Sequence, residues 1–459
     1  MSTYGERQRL DLANCLASFD EQFQLWADRT LRPPWETHYS QVRAVTSMMD
    51  GVRVGLKERL DSTNGTPAAA DLPTFVLAAW RVWEAFRSRL AQRQEDAFRS
   101  GLAAADEIAW ACRKPIAAAV AAAGGAVPPE PALVYLSGAA SPVALQRHTR
   151  FLAEPVFGQS LTAAANALLE KLPVPLIGLP WHEIFHAPGM VAIAHEAGHV
   201  VEADFELTAP LDAAIQRAAD KCGQPSSVWL PWRAEIFADH FAMRHCGPAF
   251  VTMLGDVLLS HVDSTGPSYP PHVVRMELCF AALKDMGIPD AQVDALKNAW
   301  KAEYERKVAA PPPPVLVARV AAATEFATEL GRLPVANSTL NQLISFGPPE
   351  QTTVEALAGQ LQKHELPPPG TLATQIAAAA RVVFDQDPTF FNDSNLSLFL
   401  CGAMLKGPDS GSRRRAGRPR DVLAAAAAPI VGAGVDAKYF AAGKRLVSEI
   451  VRRPPSPET

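Results

Sequence analysis

Two histidines four residues apart, with a glutamate after the first, form the stretch His195-Glu196-Ala197-Gly198-His199 inside an apolar run that reaches Val201. On an α-helix, positions i and i+4 share a face, so both imidazoles can turn a ring nitrogen toward one point. Zinc suits such a pair. It takes nitrogen and carboxylate ligands in tetrahedral geometry, and a catalytic site leaves the fourth position to water. Glu196, beside the first histidine, can accept that water's proton. The spacing therefore points to hydrolysis at a Zn2+ centre held by His195 and His199.

The same HExxH pattern occurs earlier, at His182-Glu183-Ile184-Phe185-His186. That copy lies between Pro180 and Ala187-Pro188-Gly189, which leaves room for barely two helical turns. The run from about 189 to 205 can stay helical throughout, so the second copy is the expected one. A third ligand must come from elsewhere. Asp204 is close, but an extension that used it would carry a glycine turn, and Val200-Val201-Glu202-Ala203 has none, which leaves it a fallback. Glu235 fits better. It lies on a separate predicted helix with Asp239 at i+4 on the same face, giving one carboxylate to the metal and a second to hold a histidine by its other ring N–H.

At His195 to His199 and Glu235-Ile236-Phe237-Ala238-Asp239 the chain resembles the gluzincin zinc metallopeptidases, the thermolysin-like class, in which a HExxH helix is followed by a helix bearing ExxxD. The likeness spans about residues 175 to 285. It implies a zincin-like catalytic domain, metal ligands His195, His199 and Glu235, Glu196 as general base, and Asp239 supporting a ligand. The metzincin pattern does not apply, because the positions three and six residues after His199 hold Glu202 and Phe205 instead of glycine and histidine. Thermolysin-like enzymes place a histidine or tyrosine downstream as oxyanion donor. Tyr269 and His272 are the candidates here, with Arg275 as an alternative or as a binder of a substrate carboxylate. The implied function is zinc-dependent hydrolysis of peptide bonds in a peptide or protein. The alternatives are an inactive or non-peptidase zinc hydrolase, or a helical interaction protein with a structural metal site.

The elements that must hold these residues are mostly helices. Leu10, Leu12, Leu16, Phe19, Phe23 and Trp26 recur at three- and four-residue steps until Pro33-Pro34. Further helices are expected from Tyr39 to Leu60, from Pro73 to Phe98 and from Ala103 to Ala123; the stripe Phe75, Val82, Trp83, Phe86 and Leu90 reads as core packing. Ala132 to Leu136 is a short strand candidate, with helix resuming near Ser141 and again from Leu161 to Lys171. The proline-bounded run Pro173 to Pro180 reads as an edge strand or extended loop, placed for an added peptide strand. Helices are expected again from Pro210, from Pro231 to Cys246, from Ala249 to His261, from His272 to Met286 and from Asp290 to Lys307. His240 reads as a neighbour of the site and His245 as a cation at a helix end. Ala309 to Pro314 is a stiff linker, and the sequence beyond it is helical to about Gly402.

The fold expected is mainly α with a small β element, divided into an N-terminal helical domain (1–127), a zincin-like metallopeptidase domain (128–308) and a C-terminal helical domain (315–459). The flanking domains are candidate sites for a regulatory protein partner. At 459 residues with 48% hydrophobic content, the chain can bury more than one core. A net charge of -5 gives no global pull toward nucleic acid or anionic membrane. The basic tract Arg413 to Arg420 contains one Gly-Arg-Pro like an AT-hook, and it reads as a solvated loop, so no nucleic-acid partner is expected. Six cysteines spread singly argue against a disulfide framework or a cysteine metal site. With no signal-peptide core and no run suited to span a bilayer, a cytoplasmic location is expected and no membrane partner.

Overall fold

In the computed structural model, residues 3–32, 35–62, 71–147, 173–260, 268–308, 314–408 and 436–452 are described. The amphipathic periodicities become helices α1 (Tyr4–Arg29), α2 (Tyr39–Ser62), α3 (Leu72–Ala91) and α4 (Asp96–Ala122). The single helix expected from Pro73 to Phe98 is broken by a 3-10 turn at Gln92–Gln94, so its tail belongs to α4. The aromatic stripe on α3 is core as expected, with Val82, Trp83, Phe86 and Leu90 buried.

A three-stranded sheet comes next, built from β1 (Leu133–Ser137), β2 (Val143–Leu145) and β3 (Leu176–Pro180) in the order β1-β3-β2. β1 runs parallel to β3, and β2 antiparallel to it. Two expectations change here. The proline-bounded run is the central strand and not an edge. Pro173 and Pro175 precede the ladder, and Pro180 sits in its last register position opposite Ser137, so the missing N–H groups fall where little pairing is lost. The stretch near Ser141 is the edge strand β2 and not a helix. Three residues are too few to show a period, and this strand exists through its pairing with β3. Gly178 makes that pairing possible, since a Cβ there would lie 2.9 Å from Val143 Cγ1 and 3.0 Å from Ser137 Cβ.

The sheet separates two hydrophobic clusters, and its period-2 alternation serves both. Leu133, Tyr135 and Leu176 face a cluster formed by α1, α2, α3 and the last helix, while Val134, Leu136, Ile177 and Leu179 face the cluster that holds the candidate site.

The site-bearing part is α5 (Ala192–Asp204), α6 (Thr208–Lys221), α7 (Arg233–Cys246), α8 (Pro248–Ser260), α9 (His272–Asp285) and α10 (Asp290–Lys307). Gly247 ends α7 with φ of 57° and ψ of -142°, a positive-φ conformation that glycine adopts readily because it lacks a Cβ. Beyond lie α11 (Pro314–Gly331), α12 (Pro348–Leu361), α13 (Ala373–Gln386) and α14 (Ser394–Met404), with a two-residue hairpin at Pro334–Val335 and Ser338–Thr339 that the helical reading missed.

The last helix, α15 (Ala437–Arg452), packs along α2. Glycines set that approach: a Cβ on Gly51 would lie 2.1 Å from the Phe440 carbonyl oxygen, and one on Gly443 2.1 Å from that of Met48. The expected helix at 161–171, residues 309–313 of the linker and the basic tract 413–420 lie outside the described residues. No helix among the described residues is long and apolar enough to cross a membrane.

Candidate metal centre

The two HExxH copies have different fates. Trp181–Phe185 is a 3-10 turn, ended as the prolines dictate; the His182 side chain is 67% exposed and His186 packs edge-on against Phe384. The second copy lies within α5, buried along Ile193, Ala197, Val200 and Val201. Its histidines therefore project from one face into a cleft.

Gly198, between the two histidines, brings the second helix close. A Cβ there would lie 2.9 Å from Ala238 Cα and 3.3 Å from Phe241 Cδ1. This contact lets α7 cross α5 at near backbone distance, with Glu235 in the first turn of α7. The result is a converging trio. His195 Nε2 lies 3.2 Å from His199 Nε2 and 3.5 Å from Glu235 Oε2, and His199 Nε2 lies 3.6 Å from Glu235 Oε1. Four ligands at about 2.0–2.1 Å from a tetrahedral zinc ion stand about 3.3 Å from one another. The two ring nitrogens meet that figure, each Glu235 oxygen comes within a few tenths of an ångström of it from one of them, and one ligand atom from each residue lies within 4.8 Å of the others, so the trio fits the ion. Among the described residues, this is the group of histidine and carboxylate side chains placed to hold a metal.

No family model, no curated protein and no solved structure matches this chain. Its own geometry therefore carries the reading of the site.

Asp239, one turn after Glu235, stands behind the first histidine, with Oδ1 2.9 Å from His195 Nδ1. Arg275 of α9 grips the same carboxylate with a two-pronged fork, Nε to Oδ2 and Nη2 to Oδ1 at 2.7 Å each, and its Nη2 is 3.4 Å from Glu235 Oε2. The expected role of Arg275 toward substrate changes accordingly. Its guanidinium is buried and committed to Asp239.

Burial lowers the basicity of His195, but the Asp239 and Glu235 carboxylates outweigh it and raise the group to about 10. His199 is lowered to about 4 by burial and by the charge on His195. Asp239 resists burial through Arg275 and His195 and falls to about 2. Glu196 is raised to about 7, first by burial and then by Glu235, against the pull of His195 and a hydrogen bond from the Ala144 backbone.

The cleft, about 580 Å³, is walled by β2, α5, α8 and the start of α9. Tyr269 and His272 both line it, Tyr269 half exposed and His272 buried. Glu235 and then burial raise the Tyr269 phenol. Phe250 stacks on His195 with centroids 6.1 Å apart.

Asp204, the fallback ligand, is elsewhere engaged. It ends α5 bound to Arg147 and near Arg113. The expected cationic role of His245 also fails, because burial depresses it to about 3. His240 is likewise depressed, by burial and by Arg244, whose Nε donates to its Nε2 at 2.8 Å.

Sequence reading missed the Arg275 fork, the Ala144 contact and Gln146, whose amide donates to the His199 carbonyl at 3.0 Å. All three depend on which distant elements meet, and no local spacing announces them.

Proposed function

We propose that this chain hydrolyses peptide bonds at a zinc centre held by His195, His199 and Glu235. The observation that carries the reading is the convergence from two helices of His195 and His199 Nε2, 3.2 Å apart, with the Glu235 carboxylate, whose Oε2 lies 3.5 Å from the first ring nitrogen and whose Oε1 lies 3.6 Å from the second, open to a cleft. A zinc ion bound there would polarise the scissile carbonyl and acidify water at its open position. Glu196, which lines the cleft beside His195, takes a proton from the attacking water and returns it to the leaving amine. Asp239 faces the Nδ1 of His195 and fixes the tautomer that leaves the Nε2 lone pair aimed at the shared point. Tyr269 and His272, which line the same cleft, supply donors for the developing oxyanion.

Substrate binding is supported by β2. Among the described residues it pairs only with β3, and its other edge borders the cleft beside Glu196, where an extended peptide can add as a further strand. Phe250, Met253 and Leu254 of α8 offer an apolar wall to a substrate side chain. A structural zinc site closes with four protein ligands. Three ligands facing a cleft favour hydrolysis over that alternative.

Zinc content and digestion of a peptide library by wild type and Glu196→Gln test the reading. Stoichiometric zinc in both proteins, with cleavage in the first and at least about a hundredfold less in the second, is expected. Absence of zinc, or cleavage that survives the substitution, overturns it.

A further inference from the structure

A three-residue strand that is paired on one side among the described residues is held weakly by its own ladder. Yet β2 is the wall on which the proposed peptide would lie. Two residues past its end, Arg147 has a guanidinium that uses every nitrogen. Its Nε donates to Asp204 Oδ1 at 2.9 Å and Nη2 to Asp204 Oδ2 at 3.3 Å. Nη1 donates to Glu130 Oε2 at 3.0 Å, and Nη2 also to the Glu130 carbonyl at 2.7 Å.

Both anchors belong to the framework of the site. Asp204 is the last residue of α5, the helix bearing both histidines, and Glu130 lies just before β1. Side-chain exposure is 10% for Arg147, 3% for Glu130 and nil for Asp204, so neither water nor salt competes strongly for the contacts. Arg113 Nε stands 3.6 Å from Asp204, and Tyr439 of α15 donates to Glu130 Oε2 at 2.9 Å, which holds both carboxylates in place. The fork thus joins the end of the edge strand to the end of the ligand helix through a buried, planar and bidentate contact, the kind of geometry only arginine supplies.

We infer that Arg147 is a positioning residue for the substrate: its fork fixes the height of the β2 edge above the face formed by His195, Glu196 and His199. The functional half of this inference rests on the peptidase reading, and the structural half does not. Arg147 does not line the cleft, so it acts through Ala144 and the rest of β2 and does not touch the peptide. Released from the fork, β2 moves relative to Glu196 and peptide affinity falls. The metal ligands, held by the crossing of α5 and α7, keep their spacing.

Two full-length variants test this. Arg147→Met removes the fork. Asp204→Asn keeps the volume and the Glu130 arm, and serves if the first variant fails to fold. Hydrogen–deuterium exchange of residues 143 to 145, zinc affinity by chelator competition, and kcat and KM on a cleaved peptide are compared with wild type. Exchange at least about tenfold faster at 143 to 145, zinc affinity within about twofold, and KM raised about fivefold or more at nearly constant kcat are expected. Arg147→Lys, a point charge in place of a fork, recovers only part of the KM loss. Wild-type exchange at 143 to 145 in both variants overturns the positioning role, whether or not any peptide is cleaved. Faster exchange with unchanged KM overturns its link to substrate. A wild-type protein that binds zinc but cleaves nothing overturns the peptidase reading instead, and the exchange data still decide whether Arg147 holds β2.

Discussion

Replacing Gly198 by alanine adds one methyl group at the point where α5 and α7 touch. The new Cβ would stand 2.9 Å from Ala238 Cα and 3.3 Å from Phe241 Cδ1, where carbon contacts relax at about 3.5–4.0 Å. Ala238 Cα is backbone and cannot rotate away, so the helices must separate by about 0.6–1 Å. Glu235 is one turn from Ala238, and His199 is the neighbour of the substituted residue. The 3.5 and 3.6 Å gaps from Glu235 to the histidines therefore grow well past the roughly 3.3 Å that a tetrahedral ion spans. Loss of ligand geometry on this scale weakens zinc binding by about 10- to 100-fold, or about 1.4–2.8 kcal/mol.

Helix propensity pulls the other way. Alanine is favoured over glycine in a helix interior by about 1 kcal/mol, against an overpacking cost of about 1–3 kcal/mol. The metal-free protein should thus lose no more than about 2 kcal/mol and remain folded. Gly359→Ala on α12, where a Cβ meets nothing within 4 Å, isolates the propensity gain and should leave zinc binding unchanged. Chelator competition measures the affinity, and urea unfolding with EDTA or with zinc measures the stabilisation by metal, which should shrink by at least about 1.4 kcal/mol in the Gly198 variant. Zinc affinity within twofold of wild type in a folded Gly198→Ala protein would falsify the claim that the close crossing at this glycine assembles the site.

Three other substitutions have defined outcomes. Asp239→Asn keeps the size of the side chain but removes the charge facing His195 and Arg275, and calorimetry should find zinc affinity about 10- to 100-fold weaker with the fold intact. His245 is depressed to about 3 by burial, below an unfolded value near 6.5, so the unfolded chain binds a proton that the native one refuses. Its contribution to stability is intact above pH 6.5 and is lost as pH falls toward 3; relative to His245→Leu, wild type should lose about 2 kcal/mol between pH 7 and 5 in urea melts, and parallel losses would refute the assignment. Gly443→Ala puts a methyl 2.1 Å from the Met48 carbonyl oxygen, and should cost about 2 kcal/mol or more and open α15 to proteolysis.

The parts of the site that were legible in sequence are those written at helical spacing. His195 with His199, and Glu235 with Asp239, each lie four residues apart, and the prolines around His182 show locally why the first HExxH copy cannot make a helix. The strand β2 was not legible, because three residues carry no period and its partner β3 is more than thirty residues away. The prolines of the 173–180 run misled for a related reason: their meaning depends on which ladder positions they occupy, and the neighbours set that. His245 looked like a helix-end cation because position on its own helix was visible and burial by other elements was not. Gly198 is the instructive case. A glycine inside HExxH looks like a helix defect, and only the proximity of Ala238 explains it.

Charge in the site also favours a divalent ion. Glu196, Glu235 and Asp239 are three carboxylates in a mostly buried setting, and among the described residues Arg275 is the guanidinium that meets Glu235 and Asp239. Arg275 bonds to Asp239 through both of its carboxylate oxygens and so offsets that charge, which leaves Glu196 and Glu235 facing the two imidazoles. A single imidazolium on His195 balances only one of them. Glu196 is raised to about 7, first by burial and then by the neighbouring Glu235. A divalent cation at the shared point would offset both while the histidines bound as neutral ligands, and its charge would act against the rise that burial and Glu235 impose on Glu196. Held there, such an ion would favour Glu196 as a carboxylate at neutral pH, the state in which it can accept a proton from water.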